Sequence, residues 1–279
     1  MSALRGPAVL FCPGDRPDRY AKALRAADSV IVDLEDAVAP GAKDDARRQV
    51  AEGFASGVLD PARTMVRVNP PDTDAGRADL EALAGTAVTT VVLPKAERPE
   101  DVAGLAPLSV VAICESARGV LAAEALAAVG NCVGLMWGAE DLVASLGGRS
   151  SRDDEGRYRR VVEHARATTL LAARAHGKVA LDGVYLAIAD TDGLAAEAAD
   201  SVASGYQAKA AIHPSQVPVI RSAFAPTPEQ VAWARRVLAA VDSDSGVVAH
   251  DGLMVDEPVL VQARTVLAAA EANEGVADG

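Results

Sequence analysis

The chain has 279 residues, 50% of them apolar and 24% charged, enough to bury a full core and unlike the composition of a disordered protein. With 39 acidic against 27 basic residues the formal net charge is −12, a field that repels phosphate backbones and anionic lipid and so argues against nucleic-acid and membrane partners. Aromatics are only 3%, which leaves no stacking platform for single strands and requires a core of Ala, Val, Leu and Ile.

From the N-terminus onward, short apolar or β-branched runs recur at 8–12, 29–34, 64–68, 88–93, 109–114, 132–136, 179–181 and 209–212. Most are continuous rather than alternating, as expected of parallel strands covered on both faces. Ala-rich segments with helical period lie between them, for example 120–127 and 161–173. Strand then helix, repeated eight times across residues 8–212, predicts an α/β protein built as a (β/α)8 barrel, with a doubly wound open sheet as the competing architecture. The barrel is assigned to residues 1–225.

Residues 226–279 read as a C-terminal helical extension. Thr227, Pro228 and Gln230 form a capping-box start with proline at the first helical position. A polar stretch, 242–252, breaks that helix, and a second begins near Pro258. The apolar stripes of both helices must be buried, either on the barrel or on a neighbouring subunit.

Cys12, Cys114 and Cys132 are an odd number at wide spacing, and read as buried thiols of a reducing compartment. The first apolar run is too brief for a secretory signal core, and no stretch reaches the roughly 18 apolar residues of a membrane span. A cytoplasmic protein is expected.

In a barrel of this kind the residues just past each strand converge on one face. Here they are Pro13 to Arg16, Asp33, Glu35 and Asp36, Arg67, Lys95, Glu115, Glu140 and Asp141, Asp182, and His213. Such charge at the ends of apolar strands is costly unless paired, hydrated or metal-bound. Glu115 and Asp141 follow adjacent strands and could share one hard divalent cation, which needs few protein oxygens. Alternatively they pair with arginine or cap helices. Arg67 serves either as a clamp for a carboxylate or developing enolate, or as a barrel-mouth salt bridge, with Asp33, Glu35 and Asp36 placed to orient it. Arg16, Arg19 and Lys22 form a basic cluster that reads as a phosphate contact or a solvated helix face. The charged, Gly-containing loop 147–158 is read as solvated rather than as a lid. No nucleophile elbow, Walker loop or Rossmann fingerprint is present.

Several of these segments together carry a resemblance. They are Phe11-Cys12-Pro13-Gly14-Asp15-Arg16-Pro17, Asp33-Leu34-Glu35-Asp36-Ala37-Val38, Val66-Arg67-Val68-Asn69, Leu93-Pro94-Lys95, Glu115-Ser116-Ala117-Arg118-Gly119 and Ile212-His213-Pro214-Ser215-Gln216. In order along the chain they resemble the citrate lyase β-subunit and malyl-CoA lyase family of the HpcH/HpaI aldolase superfamily, especially stand-alone citrate-lyase-β-like proteins of actinobacteria. The resemblance implies a (β/α)8 barrel, Mg2+ dependence and a homo-oligomer, trimeric or built from trimers. It implies Glu115 and Asp141 as metal ligands and Arg67 as the contact to the substrate carbonyl. Arg16 and Lys22 would meet the phosphates of a CoA thioester, with Phe11 and Lys95 among the substrate contacts. The segment 252–256 resembles the family's C-terminal motif, whose Asp256 reaches a neighbouring subunit's site as acid and base; on the residues alone, Asp256 reads as a helix cap.

The implied reaction is reversible cleavage of a 3-hydroxy-3-carboxyacyl-CoA thioester, of malyl, citramalyl or citryl type, to acetyl-CoA and glyoxylate, pyruvate or oxaloacetate. One alternative is a citrate lyase β-subunit that works only with acyl-carrier partner subunits. Another is a non-catalytic protein that binds CoA or 2-oxo acids. A pyruvate-type aldolase of the superfamily would need an early histidine, and none precedes His164.

Overall fold

The structure is a computed structural model and describes residues 4–241, 248–250 and 253–277. Eight strands form a closed parallel barrel in chain order. They are β1 (Ala8–Pro13), β2 (Ser29–Asp33), β3 (Thr64–Arg67), β4 (Thr90–Leu93), β5 (Ser109–Cys114), β6 (Cys132–Trp137), β7 (Val179–Asp182) and β8 (Ala208–Ala211). Pairing of β1 with β8, Val9 opposite Ala210, closes the ring and excludes the open sheet. Every run expected as a strand is one, with ends shifted by a residue or two. The connecting helices are α1 (Pro17–Ala26), α2 (Lys43–Ala55), α3 (Asp74–Leu83), α4 (Pro99–Ala103), α5 (Ala117–Leu121), α6 (Ala123–Ala127), α7 (Ala139–Ser145), α8 (Arg160–Ala175), α9 (Thr191–Ser204) and α10 (Gln216–Phe224). The helix expected over 120–127 is broken at Ala122, which separates α5 from α6.

Side chains on a strand alternate between faces, so one parity fills the barrel and the other meets the helices. Val9, Ile31, Met65, Val92, Val111, Ile113, Met136, Leu181, Ala208 and Ala210 pack together as the interior. Two residues further along the same faces stand Phe11, Asp33, Arg67, Glu115 and Gly138. That parity alone directs them over the top of the packed interior. Cys12, Cys114 and Cys132 are buried and unpaired.

The chain divides into two compact units, one ending at Ile220 and one beginning at Arg221. The second holds α11 (Pro228–Val241), an antiparallel pair of β9 (Val248–His250) and β10 (Leu253–Val255), and α12 (Glu257–Ala277). The predicted capping box forms: Thr227 Oγ1 accepts the Gln230 N–H at 3.2 Å, and Gln230 Oε1 accepts the Thr227 N–H at 2.8 Å. The two apolar stripes meet each other, with Ala234, Val237, Leu260 and Ala263 as their shared core. The expected break at 242–252 falls largely outside the described residues.

Candidate active site

The top of the barrel opens into a cavity of about 670 Å3 lined by Phe11, Asp33, Asp36, Arg67, Glu115, Gly138, Glu140 and Asp141, with further residues from 151–158 and 184–190. Arg67 closes β3 and is held by Asp33 at the end of β2, Nε to Oδ1 at 2.7 Å and Nη2 to Oδ2 at 2.6 Å. This fork-on-fork pairing fixes the guanidinium plane. Its Nη1 lies 3.0 Å from Glu35 Oε2, an oxygen with no aligned hydrogen bond among the described residues. The guanidinium carbon stands 5.2 Å from the Phe11 ring centre, in cation–π range.

Glu35 is buried, and its other oxygen accepts from Lys95 Nζ. Burial pushes the Glu35 carboxyl above the usual range, more than Arg67 and Lys95 pull it back. Burial also opposes the charge on Lys95, but the bond to Glu35 and its carboxylate field hold that ammonium above the ordinary lysine range. Lys95 Nζ reaches Asp36 at 3.6 Å and Asp141 at 3.7 Å. Its backbone is left-handed, φ +49°, which a lysine adopts only where surroundings enforce it. The consequence is that its N–H points at Glu115 Oε1, 2.9 Å away.

Glu115 follows β5 and Asp141 lies in the first turn of α7, after β6. Glu115 is 4% exposed. Burial, then the negative charge of Asp141, raise its carboxyl to about 7. A Cβ on Gly138 would come within 2.7 Å of Glu115 Oε2, so only glycine leaves that oxygen room. Two repelling carboxylates, Glu115 buried and Asp141 partly exposed, suit a hard divalent cation, which relieves the repulsion. Among the described residues no cluster of three or more metal-type side chains exists, so water or substrate oxygens must supply the remaining positions.

A family model described as HpcH/HpaI aldolase/citrate lyase matches residues 7–214. The chain belongs to this family. It is 54% identical over 262 residues to a citrate lyase subunit β-like protein of Mycobacterium tuberculosis, covering 94% of each chain. It is 38% identical over 274 residues to a (3S)-malyl-CoA thioesterase of Cereibacter sphaeroides, covering 95% of this chain and 94% of that one. The crystal structure of the M. tuberculosis protein CitE in complex with magnesium, acetoacetate and coenzyme A superimposes with a TM-score of 0.92 at 53% identity, covering 97% of this chain and all of that one.

Within this family fold the residues singled out in the sequence do not all come together. Phe11, Asp36, Arg67, Glu115 and Asp141 line the cavity, with Glu35 and Lys95 tied to them by ion pairs. Arg16 and Lys22 are exposed at and on α1, Arg16 paired with Asp18 at 3.0 Å. Asp256 belongs to the second unit, where its Oδ1 accepts the Val259 N–H at 3.4 Å and caps α12. His213 is exposed and bonded to Ser215.

Two readings are corrected. Asp182 does not face the cavity: it has the outward parity, is fully buried, and accepts from Trp137 Nε1 at 2.7 Å, Arg166 Nη2 at 3.0 Å and Lys209 Nζ at 3.1 Å. Burial works against its charge, yet Lys209 and Arg166 hold its carboxyl below the usual range. The loop 147–158 is not merely solvated, since Ser151, Arg152 and Tyr158 line the cavity. Tyr158 stands edge-on to Trp137 at 5.3 Å, and Ser151 Oγ donates to Glu140 Oε1 at 2.5 Å. Arg152 and Tyr158 went unnoticed because charged loop residues carry no periodicity; the aromatic among charges was the available signal.

Proposed function

We propose that the protein is a Mg2+-dependent carbon–carbon lyase that reversibly splits a 3-hydroxy-3-carboxyacyl-CoA thioester into acetyl-CoA and a 2-oxo acid. The observation that carries this reading is that Glu115 and Asp141, from consecutive strand ends, open into the same cavity as the braced guanidinium of Arg67. Family membership and the ligands bound by the M. tuberculosis protein support it.

Bound between Glu115 and Asp141, Mg2+ would supply Lewis-acid polarisation of the substrate's hydroxyl and carboxylate oxygens. The chain's own residues supply the rest. Asp33 uses two of the five guanidinium donors of Arg67, leaving others for the thioester oxygen. As the carbon–carbon bond breaks, negative charge grows on that oxygen, and a preoriented cation stabilises it without reorganising. The Lys95 N–H and the absent side chain of Gly138 keep the Glu115 carboxylate in one orientation. The substrate hydroxyl gives up its proton to solvent as it becomes the oxo-acid carbonyl, and the enolate carbon gains one: Asp256 of a neighbouring copy delivers that proton, or removes it in the synthetic direction. Arg16 and Lys22 meet the CoA phosphates, and Phe11 flanks the thioester end. The reading extends to a cytoplasmic homo-oligomer, trimeric or a multiple of trimers, whose C-terminal helices pack across subunits.

Similarity to the malyl-CoA thioesterase favours a second reading, hydrolysis of the thioester. The test is the product profile of the purified chain alone on malyl-, citramalyl- and citryl-CoA, with and without Mg2+. A lyase releases a 2-oxo acid and acetyl-CoA with no free thiol. Free CoA without oxo acid supports the thioesterase. No turnover alone but turnover with acyl-carrier subunits makes the chain a subunit, and binding without turnover a non-catalytic protein.

A further inference from the structure

Arg152, a cation in the cavity lining, has no part in the chemistry just described. On one side stand the carboxylates of Asp33, Asp36, Glu115 and Asp141, with Glu35 behind them, against the two cations Arg67 and Lys95. That side has negative charge to spare, as a divalent-cation site requires. On the other side Arg152 lines the cavity, 28% exposed. It bonds to Glu197 and to the carbonyl of Gly156 at 2.9 Å. Its guanidinium carbon lies 3.7 Å from the Tyr158 ring centre and 5.1 Å from that of Tyr185.

Glu197 does not use up the charge of Arg152. Lys209, fully buried in β8, also bonds to Glu197 at 2.9 Å, to Asp182 and to the Gly183 carbonyl. Asp182 is shared in turn with Arg166. Three cations, Lys209, Arg166 and Arg152, thus share the fully buried Asp182 and the partly buried Glu197. The third carboxylate of this cluster, Asp200, is 61% exposed and pairs with Arg166 on the helix side. Asp190, exposed at the rim, is engaged by the Tyr185 hydroxyl and the Gly193 N–H. A guanidinium fixed by stacking and by hydrogen bonds, whose one carboxylate partner is shared with a buried lysine, is preorganised to receive a further carboxylate.

We propose that Arg152 is a specificity-determining residue that takes a second carboxylate of the 2-oxo acid unit, so that the enzyme prefers a dicarboxylic over a monocarboxylic oxo acid. The inference rests on the lyase reading for the identity of the substrate. One carboxylate and the adjacent oxygen occupy the acidic side with the cation. A further carboxymethyl substituent on the same carbon then extends across the cavity to Arg152. A methyl or hydrogen there makes no such bond.

The test is calorimetric titration of wild type, Arg152→Gln and Arg152→Lys with fresh oxaloacetate and with pyruvate, in Mg2+ and without any thioester. Wild type is expected to bind oxaloacetate at least about tenfold more tightly than pyruvate, the order of one charge-assisted hydrogen bond. Arg152→Gln should weaken oxaloacetate by about the same factor and leave pyruvate within about twofold; Arg152→Lys, which keeps the charge without the fork, should fall between. Equal affinity of wild type for the two acids, or parallel loss of both in the variants, would overturn the assignment and leave Arg152 a wall residue. If wild type binds neither acid, the lyase reading fails and the inference with it.

Discussion

Glu115→Gln separates the cost of the proposed metal site from its use. Glu115 is buried, and its carboxyl stands at about 7 against an ordinary 4.5. Between those values the folded chain keeps a proton that the unfolded chain has lost. Unfolding therefore releases a proton, and stability falls as pH rises through that window. The separation corresponds to about 3 kcal/mol lost between pH 4.5 and pH values above 7. Glutamine cannot ionise, keeps the size of the side chain, and retains an oxygen for the Lys95 N–H. In urea unfolding with a chelator present, the variant should exceed wild type by about 3 kcal/mol at pH 8, the difference vanishing near pH 4.5. Saturating Mg2+ should raise wild type by mass action and leave the variant unmoved. A variant less stable than wild type at pH 8, or a difference that does not change with pH, would refute the reasoning.

Three further outcomes follow from the same geometry. Arg67→Lys keeps the charge but cannot form the fork with Asp33; steady-state kinetics should show kcat/KM down by roughly 10²–10³, with Mg2+ binding intact. Gly138→Ala places a Cβ within 2.7 Å of Glu115 Oε2, so calorimetry should show Mg2+ affinity reduced by about tenfold or more. Asp256→Asn should lose turnover by roughly 10²–10⁴ while retaining metal and oxo-acid binding; unimpaired turnover would remove Asp256 from the mechanism and leave it a helix cap.

The barrel was legible because its strands are unbroken apolar runs, a signal that survives without knowledge of neighbours. Position just past a strand carried the cavity residues as well, since Glu115 and Arg67 also fall on the inward face, two residues after Ile113 and Met65. Asp182 was misread because position at a strand end was weighed without side-chain parity, which turns it outward to Arg166 and Lys209. Lys209 shows why the rest was hidden. A fully buried lysine in a strand is tolerable only because Asp182 and Glu197 arrive from β7 and α9, and pairing across that sequence distance leaves no local pattern. The left-handed backbone of Lys95 is likewise a tertiary product, since lysine has no intrinsic preference for it.

The central claim is a single divalent ion shared by Glu115 and Asp141. Paramagnetic resonance titration with Mn2+ as a spectroscopic substitute for Mg2+ addresses it most directly, on wild type, Glu115→Gln and Asp141→Asn. One bound ion per chain in wild type, lost in both variants together with carbon–carbon cleavage, is the predicted result. Undiminished Mn2+ binding in either variant would contradict the account.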